Sequence, residues 1–255
     1  MLSQALPYVL WGCLSLKQWK NKIWMRLGAG VLIVVLLVLS SRFHALRSME
    51  ILSTEPQQRV IVIDPGHGGE DGGANGISGT RESDLNLAVS LRLEALLRLC
   101  GVEPVMVRRT DTAVYSDGAK TISEKKVSDI HNRVTLVNNT PGALLVSIHQ
   151  NFFTESKYDG AQVFYADSVE SKTLAELLQS RLREKLAPDN RREAKPAAST
   201  IYLMNHIHCP AILVECGFIS NAAEEARLKT PTYQVQLATV IASVLLQNLE
   251  VTDEV

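Results

Sequence analysis

The sequence predicts a single α/β domain, a three-layer arrangement with a mostly parallel twisted sheet flanked by helices, preceded by an N-terminal transmembrane helix. Three observations carry this. Val60–Ile63, Ala143–Ile148 and Ala211–Val214 are short runs with almost no polar residue, the pattern of strands buried on both faces as in a parallel sheet. Between them lie segments with apolar residues at helical spacing, and strand alternating with helix predicts a mostly parallel sheet. Ahead of both stands an apolar run without charge, Leu27–Leu39.

Taken in order, residues 1–22 are assigned to the cytoplasm. Residues 23–41 supply about the 20 positions needed to cross hydrocarbon. Lys17, Lys20, Lys22 and Arg26 outnumber Arg42 and Arg47 behind the run, which orients the N-terminus inward. The segment reads as an anchor or uncleaved signal, because Ser40–Ala45 lacks the small-residue pattern of a cleavage site. A buried core helix is the weaker reading, since the run has no polar face. The earlier apolar piece, Ala5–Leu16, contains Pro7 and Gly12, is too short to span and receives no role. Residues 42–59 form a linker, with Ser, Thr, Pro and two Gln at its end, and 60–250 the folded domain.

A net charge of −1 gives no reason to expect nucleic acid as a partner. The basic pairs Arg108–Arg109 and Arg191–Arg192 read as solvated surface. Cys13, Cys100, Cys209 and Cys216 have no zinc-finger spacing. Three of them fall beyond the anchor, an odd number, so disulfides do not organise the domain.

Within the domain, Val60–Ile63 is a strand stopped by Asp64-Pro65-Gly66, and Gly68, Gly69, Gly72 and Gly73 let the chain turn tightly after it. His67 is thereby presented on a loop. Leu85, Ala88, Leu91, Ala95, Leu96 and Leu99 predict a helix over 83–99 with Ser83 as its N-cap and Cys100-Gly101 as its stop. Pro104–Val107 is the next strand, and 111–127 has no clear period and reads as a surface excursion. A helix follows from about Ser128 to Asn138, with Ile130, Val134 and Val137 inward. Ala143–Ile148 is a strand ending in His149-Gln150-Asn151. A strand at Ala161–Tyr165, a helix at about 171–186 and a polar loop over 187–199 lead to Ala211–Val214, the last core strand, which ends in Glu215-Cys216-Gly217. Pro231 opens a closing helix to about Leu249.

His67, His149 and Glu215 each sit at the carboxyl end of a strand, and in a parallel sheet those ends open on one edge where ligands bind. Glu82 falls just before a helix on the far side of a loop able to fold over that edge. Two histidines and a carboxylate are the ligand set of a catalytic zinc with a fourth position open. Such an ion activates water and polarises a carbonyl, and a second carboxylate is then needed as general base. Position alone does not decide which glutamate ligates and which moves protons. The remaining histidines fit no ligand position; His206 and His208 read as a surface turn or as the rim of the cleft. Asn151 either orients the site or caps its own loop.

Asp64-Pro-Gly-His-Gly-Gly69, Glu82 fifteen residues past the histidine, Ser147-Ile-His-Gln-Asn151 and Val214-Glu-Cys-Gly-Phe-Ile-Ser-Asn221 resemble the zinc-dependent N-acetylmuramoyl-L-alanine amidases of bacterial cell walls. The resemblance runs in order from Val60 to about Leu249. It implies Zn2+ held by His67, Glu82 and His149, with Glu215 as the catalytic acid/base. It implies peptidoglycan as substrate, cut at the amide between the lactyl group of N-acetylmuramic acid and L-alanine of the stem peptide. The single anchor and the stretches Tyr115–Ile122 and Asn132–Val134 are similar to those of the germination-specific amidases of spore formers, which act in spore cortex maturation through muramic-δ-lactam formation, or in germination. Such a protein is anchored in a bacterial membrane, with its catalytic domain on the extracytoplasmic (or intermembrane spore) side. The subgroup also permits dependence on an activating lipoprotein or a downstream deacetylase. Cys216, after the catalytic glutamate, departs from the usual small or apolar residue and reads as a small buried one. Competing readings are a zinc peptidoglycan carboxypeptidase or endopeptidase, and a wall-binding protein that needs a partner.

Overall fold

The computed structural model describes residues 35–40 and 59–253. The chain divides into two compact units, Met1–Pro56 and Gln57–Val255, each taken by itself. In the first, Val35 to Ser40 are helical and exposed. The rest of the anticipated span, the cytoplasmic segment 1–22 and the linker up to residue 58 lie outside the described residues. Among the described residues no helix is long and apolar enough to cross a membrane.

In the second unit the elements run β1 (Val60–Pro65), α1 (Glu82–Leu99), β2 (Val105–Met106), α2 (Ile122–Asn138), β3 (Ala143–Asn151), β4 (Gln162–Tyr165), α3 (Val169–Leu186), β5 (Lys195–Pro196), α4 (Tyr202–His206), β6 (Ala211–Phe218), α5 (Ala222–Leu228) and α6 (Pro231–Asp253). The sheet has six strands in the order β2-β1-β3-β6-β4-β5. All neighbours pair parallel except β4 and β6, which are antiparallel. This is the mostly parallel α/β domain that the alternating pattern predicts.

Side chains alternate across the pleat, so each strand feeds two cores. Ile61, Ile63, Val146, Ile148, Ile212 and Val214 pack with Leu85, Val89 and Leu93 of α1, Leu174 and Leu178 of α3 and Leu237 and Ile241 of α6. Val62, Leu145, Ala211 and Leu213 pack on the other face with Val137 of α2 and Leu203 and Met204 of α4. Burying an aliphatic side chain of this size is worth about 1.5–3 kcal/mol. Both faces being covered explains why the strands read as unbroken apolar runs.

Four local expectations are corrected. Helix α1 starts at Glu82 with Arg81 at the N-cap, and Ser83 is a fully buried residue of its first turn. The amides of Glu82 and Ser83 donate to the carbonyls of Ala74 and Gly72, at 2.9 and 3.1 Å, so the glycine loop itself caps the helix. Helix α2 starts at Ile122 rather than Ser128. Thr121 accepts from the Glu124 amide while Glu124 accepts from the Thr121 amide, a reciprocal capping box. β3 and β6 extend to Asn151 and Phe218, so His149 and Glu215 stand inside their strands, side by side in register. Finally, α4, α5 and β5 occupy stretches without a sequence assignment or read as loop. α5 is capped by the Asn221 side chain, which accepts from the amides of Ala223 and Glu224.

Candidate active site

The site lies where β1, β3 and β6 reach the same edge. His67 follows β1 with φ at 60°, a left-handed conformation that costs a non-glycine residue about 1–3 kcal/mol and persists where its surroundings fix it. Two buried arginines do the fixing. Arg133, from α2, forms an ion pair with Asp64 and donates to the carbonyls of Pro65 and His67 and to Asp129. Arg108, just past β2, donates to the carbonyls of Pro65, Gly66 and Ser83 at 3.0 Å each, and of Thr110 at 2.9 Å. Arg108 is 4% exposed, which corrects the expectation of solvated surface: backbone carbonyls supply the partners that let a guanidinium be buried. Its neighbour Arg109 is tied to the buried Glu94 at 2.7 Å.

His67 Nδ1 meets Asp71 Oδ2 at 2.9 Å, and its Nε2 faces Glu82 Oε2 at 3.4 Å. His149 Nδ1 faces Glu82 Oε1 at 2.9 Å. The two imidazoles stand edge to face, centroids 5.1 Å apart. Gly66 is required here, because a Cβ would lie 2.2 Å from the His149 ring. Donor atoms of His67, Glu82 and His149 all lie within 4.8 Å of one another, so these three residues can hold a metal ion. Glu82 also accepts from the amides of Ala74 and Gln150 and from Asn86 Nδ2, which leaves its carboxylate little freedom. Such outer partners orient metal ligands and tune their basicity.

Glu215 is different. Its Oε2 is buried and has no hydrogen-bond partner among the described residues. Burial, with the like charge of Glu82 adding to it, pushes the carboxyl up to about 7 against the pull of His149 and His67. Burial would raise Glu82 too, but hydrogen bonds from His149 and His67 overcome it and hold that carboxyl well below the usual range. His67 is raised to about 9, because Asp71 and Glu82 outweigh the burial that would lower it. All but Glu82 of the predicted site residues line one cleft of about 250 Å³, together with Asp64, Lys126, Arg133 and the wall Ile201-Tyr202-Leu203.

The other sequence candidates divide. Gln150, rather than Asn151, touches Glu82. His206 caps α4, its Nδ1 2.9 Å from the Tyr202 carbonyl, and stacks on the Tyr202 ring at 3.7 Å. It stacks on a residue of the cleft wall and does not itself line the cleft. The His208 amide donates to Asn138. Cys216 is wholly buried, as read, its thiol pushed up to about 12 by burial, and Cys100 and Cys209 are free.

The Amidase_3 family profile, N-acetylmuramoyl-L-alanine amidase, matches residues 61–247. The chain belongs to this family. The amidase is 35% identical over 210 residues to the germination-specific N-acetylmuramoyl-L-alanine amidase of Bacillus subtilis, which covers 82% of this chain and 87% of the relative. It is 27% identical over 260 residues to the amidase AmiA of Escherichia coli, covering 81% and 85%. Among solved structures, the CwlD amidase of Clostridioides difficile in complex with the GerS lipoprotein is 37% identical with a TM-score of 0.72, covering 76% of this chain and 99% of that one. The resemblance carried by the sequence motifs is thus borne out, and the amidase is an enzyme of this class.

Proposed function

We propose that the amidase uses zinc to hydrolyse the amide between the lactyl group of N-acetylmuramic acid and L-alanine of the stem peptide in peptidoglycan. The observation that carries this reading is the gathering of His67, Glu82 and His149 beside the unpartnered oxygen of Glu215. The donor set fits: two imidazoles and a carboxylate are a catalytic zinc's ligands with one position left open. His67 would offer Nε2, since Asp71 takes Nδ1, and His149 would offer Nδ1, which faces Glu82. Bound there, zinc supplies a Lewis acid that polarises the carbonyl and acidifies water.

The chain's own part is to orient and to move a proton. Glu215, with a carboxyl near 7, takes a proton from the attacking water at Oε2. It passes that proton to the nitrogen of L-alanine as the C–N bond breaks, leaving a lactyl carboxylate and a free amine. Asp71 holds the His67 ring in one tautomer.

The germination-specific name of the Bacillus subtilis relative supports a role in spore cortex maturation, with muramic-δ-lactam formation, or in germination. The GerS lipoprotein in complex with CwlD supports a lipoprotein partner here. The apolar run over 23–41 supports anchoring in a bacterial membrane with the domain on the extracytoplasmic (or intermembrane spore) side. The test is to incubate the purified full chain with peptidoglycan, with chelator and with zinc restored, and to identify products by mass spectrometry. Stem peptides with a free L-alanine amine, lost on chelation and regained with zinc, uphold the reading. Shortened peptides on intact muramyl-alanine bonds would replace it with a peptidase, and cleavage indifferent to chelator would remove the zinc.

A further inference from the structure

The cleft is lined by the carboxylates of Asp64, Asp71, Asp129 and Glu215, and its lysine and arginine side chains are Lys126 and Arg133. Arg133 is spent: it is buried, and Asp64, Asp129 and two backbone carbonyls take its donors. Lys126 is not. Its side chain is 55% exposed, and among the described residues its one ion pair is with Asp71 Oδ1 at 2.9 Å. An ammonium carries three donors, so two remain for whatever enters. The adjacent Lys125 is turned elsewhere, pairing with Glu70 at 2.7 Å and lying over the Tyr115 ring.

On the reading proposed above, the lactyl side of the substrate is a sugar whose only carboxyl is consumed in the scissile amide. Any negative charge near the reacting bond therefore belongs to the peptide. Arg133 neutralises Asp64 and Asp129, so away from the metal ligands the exposed cation that such a charge can meet in the cleft is Lys126. One carboxylate and one imidazole separate Lys126 from the His67 nitrogen that faces Glu82. Extended chain advances about 3.3–3.6 Å per residue, so the residue after L-alanine comes within reach. We infer that Lys126 forms a carboxylate subsite at the mouth of the cleft, which takes a free carboxylate on the peptide residue following L-alanine and selects acidic over amidated stem peptides.

The experiment compares two synthetic muramyl peptides that differ only in whether the residue after L-alanine carries a free carboxylate or its amide. With the zinc-loaded full chain, kcat/KM favours the acidic substrate by about tenfold, the worth of one charge-assisted hydrogen bond at a half-exposed site. Lys126→Met erases the preference by raising KM for the acidic substrate alone, Lys126→Arg keeps part of it, and Lys125→Met leaves it whole. Equal cleavage of both substrates by the unmodified chain overturns the subsite while leaving the amidase reading intact. So does a Lys126→Met chain that loses kcat equally on both, since that would make Lys126 a positioning residue acting through Asp71 on His67. Failure to cleave either substrate, with zinc bound, overturns the amidase reading and the subsite together.

Discussion

Two glutamates stand at one edge of the sheet, and their surroundings differ. Glu82 is tethered by two imidazoles, two amides and an asparagine, whereas Glu215 keeps an oxygen free. Glu215→Gln is expected to retain the fold and one zinc per chain while kcat falls by about 10²–10⁴; metal analysis and muropeptide release together check this. His67→Ala or His149→Ala should instead lose the metal. Asp71→Asn keeps the ring contact but removes the charge behind it, and a zinc affinity about 10–100-fold weaker is expected by competition with a chelating dye. His67, His149 and Glu215 were legible in the sequence because a polar residue ending an apolar strand has few places to point. Asp71 was not, because only the turn of the glycine loop brings it onto His67. Arg108 and Arg133 were hidden for a related reason: a buried arginine looks like any surface arginine until its distant carbonyl partners are known.

At the scale of elements, the strands were readable and the helix starts were not. β1, β3 and β6 announce themselves as apolar runs because both faces of the sheet are covered. Helix α2 hides its first turns because they are exposed and lack apolar periodicity, with Arg133 and Val137 its only fully buried residues. The signal that marks its true start is local: Thr121 and Glu124 have the spacing of a capping box. Those turns carry Lys125 and Lys126, which pair with Glu70 and Asp71 of the His67 loop. Thr121→Ala is therefore expected to lower stability by about 1 kcal/mol, read from the urea midpoint at unchanged slope, and to loosen the loop's hold on His67. The caps of α1 could not be foreseen, since they are backbone carbonyls of Gly72 and Ala74 and leave no mark in residue identity.

Over the whole molecule, these charges set a pH profile for the chain freed of metal. Glu215 is raised from 4.5 to about 7 and His67 from 6.5 to about 9, so both contribute stability at low pH that is lost as pH rises through those raised values. For Glu215 alone the loss is on the order of 3 kcal/mol. Glu82 and Asp71 are held low by their histidine partners. Burial would raise Asp64, but Arg133 and Ser147 hold it low as well. Their contribution is present above the ordinary carboxylate values and lost as pH falls. Melting temperature in chelator should therefore peak at about pH 5 and decline on both sides. Saturating zinc, which needs His67 neutral, should move the peak above pH 7. The arginine grip on the carbonyls of Pro65, Gly66 and His67 has one more consequence. A loop already pinned by a hydrogen-bonded scaffold has little disorder left to surrender, so an ion held by His67, Glu82 and His149 would enter a finished cradle. Calorimetry should then register metal uptake with almost no change in heat capacity, and far-ultraviolet circular dichroism should not move.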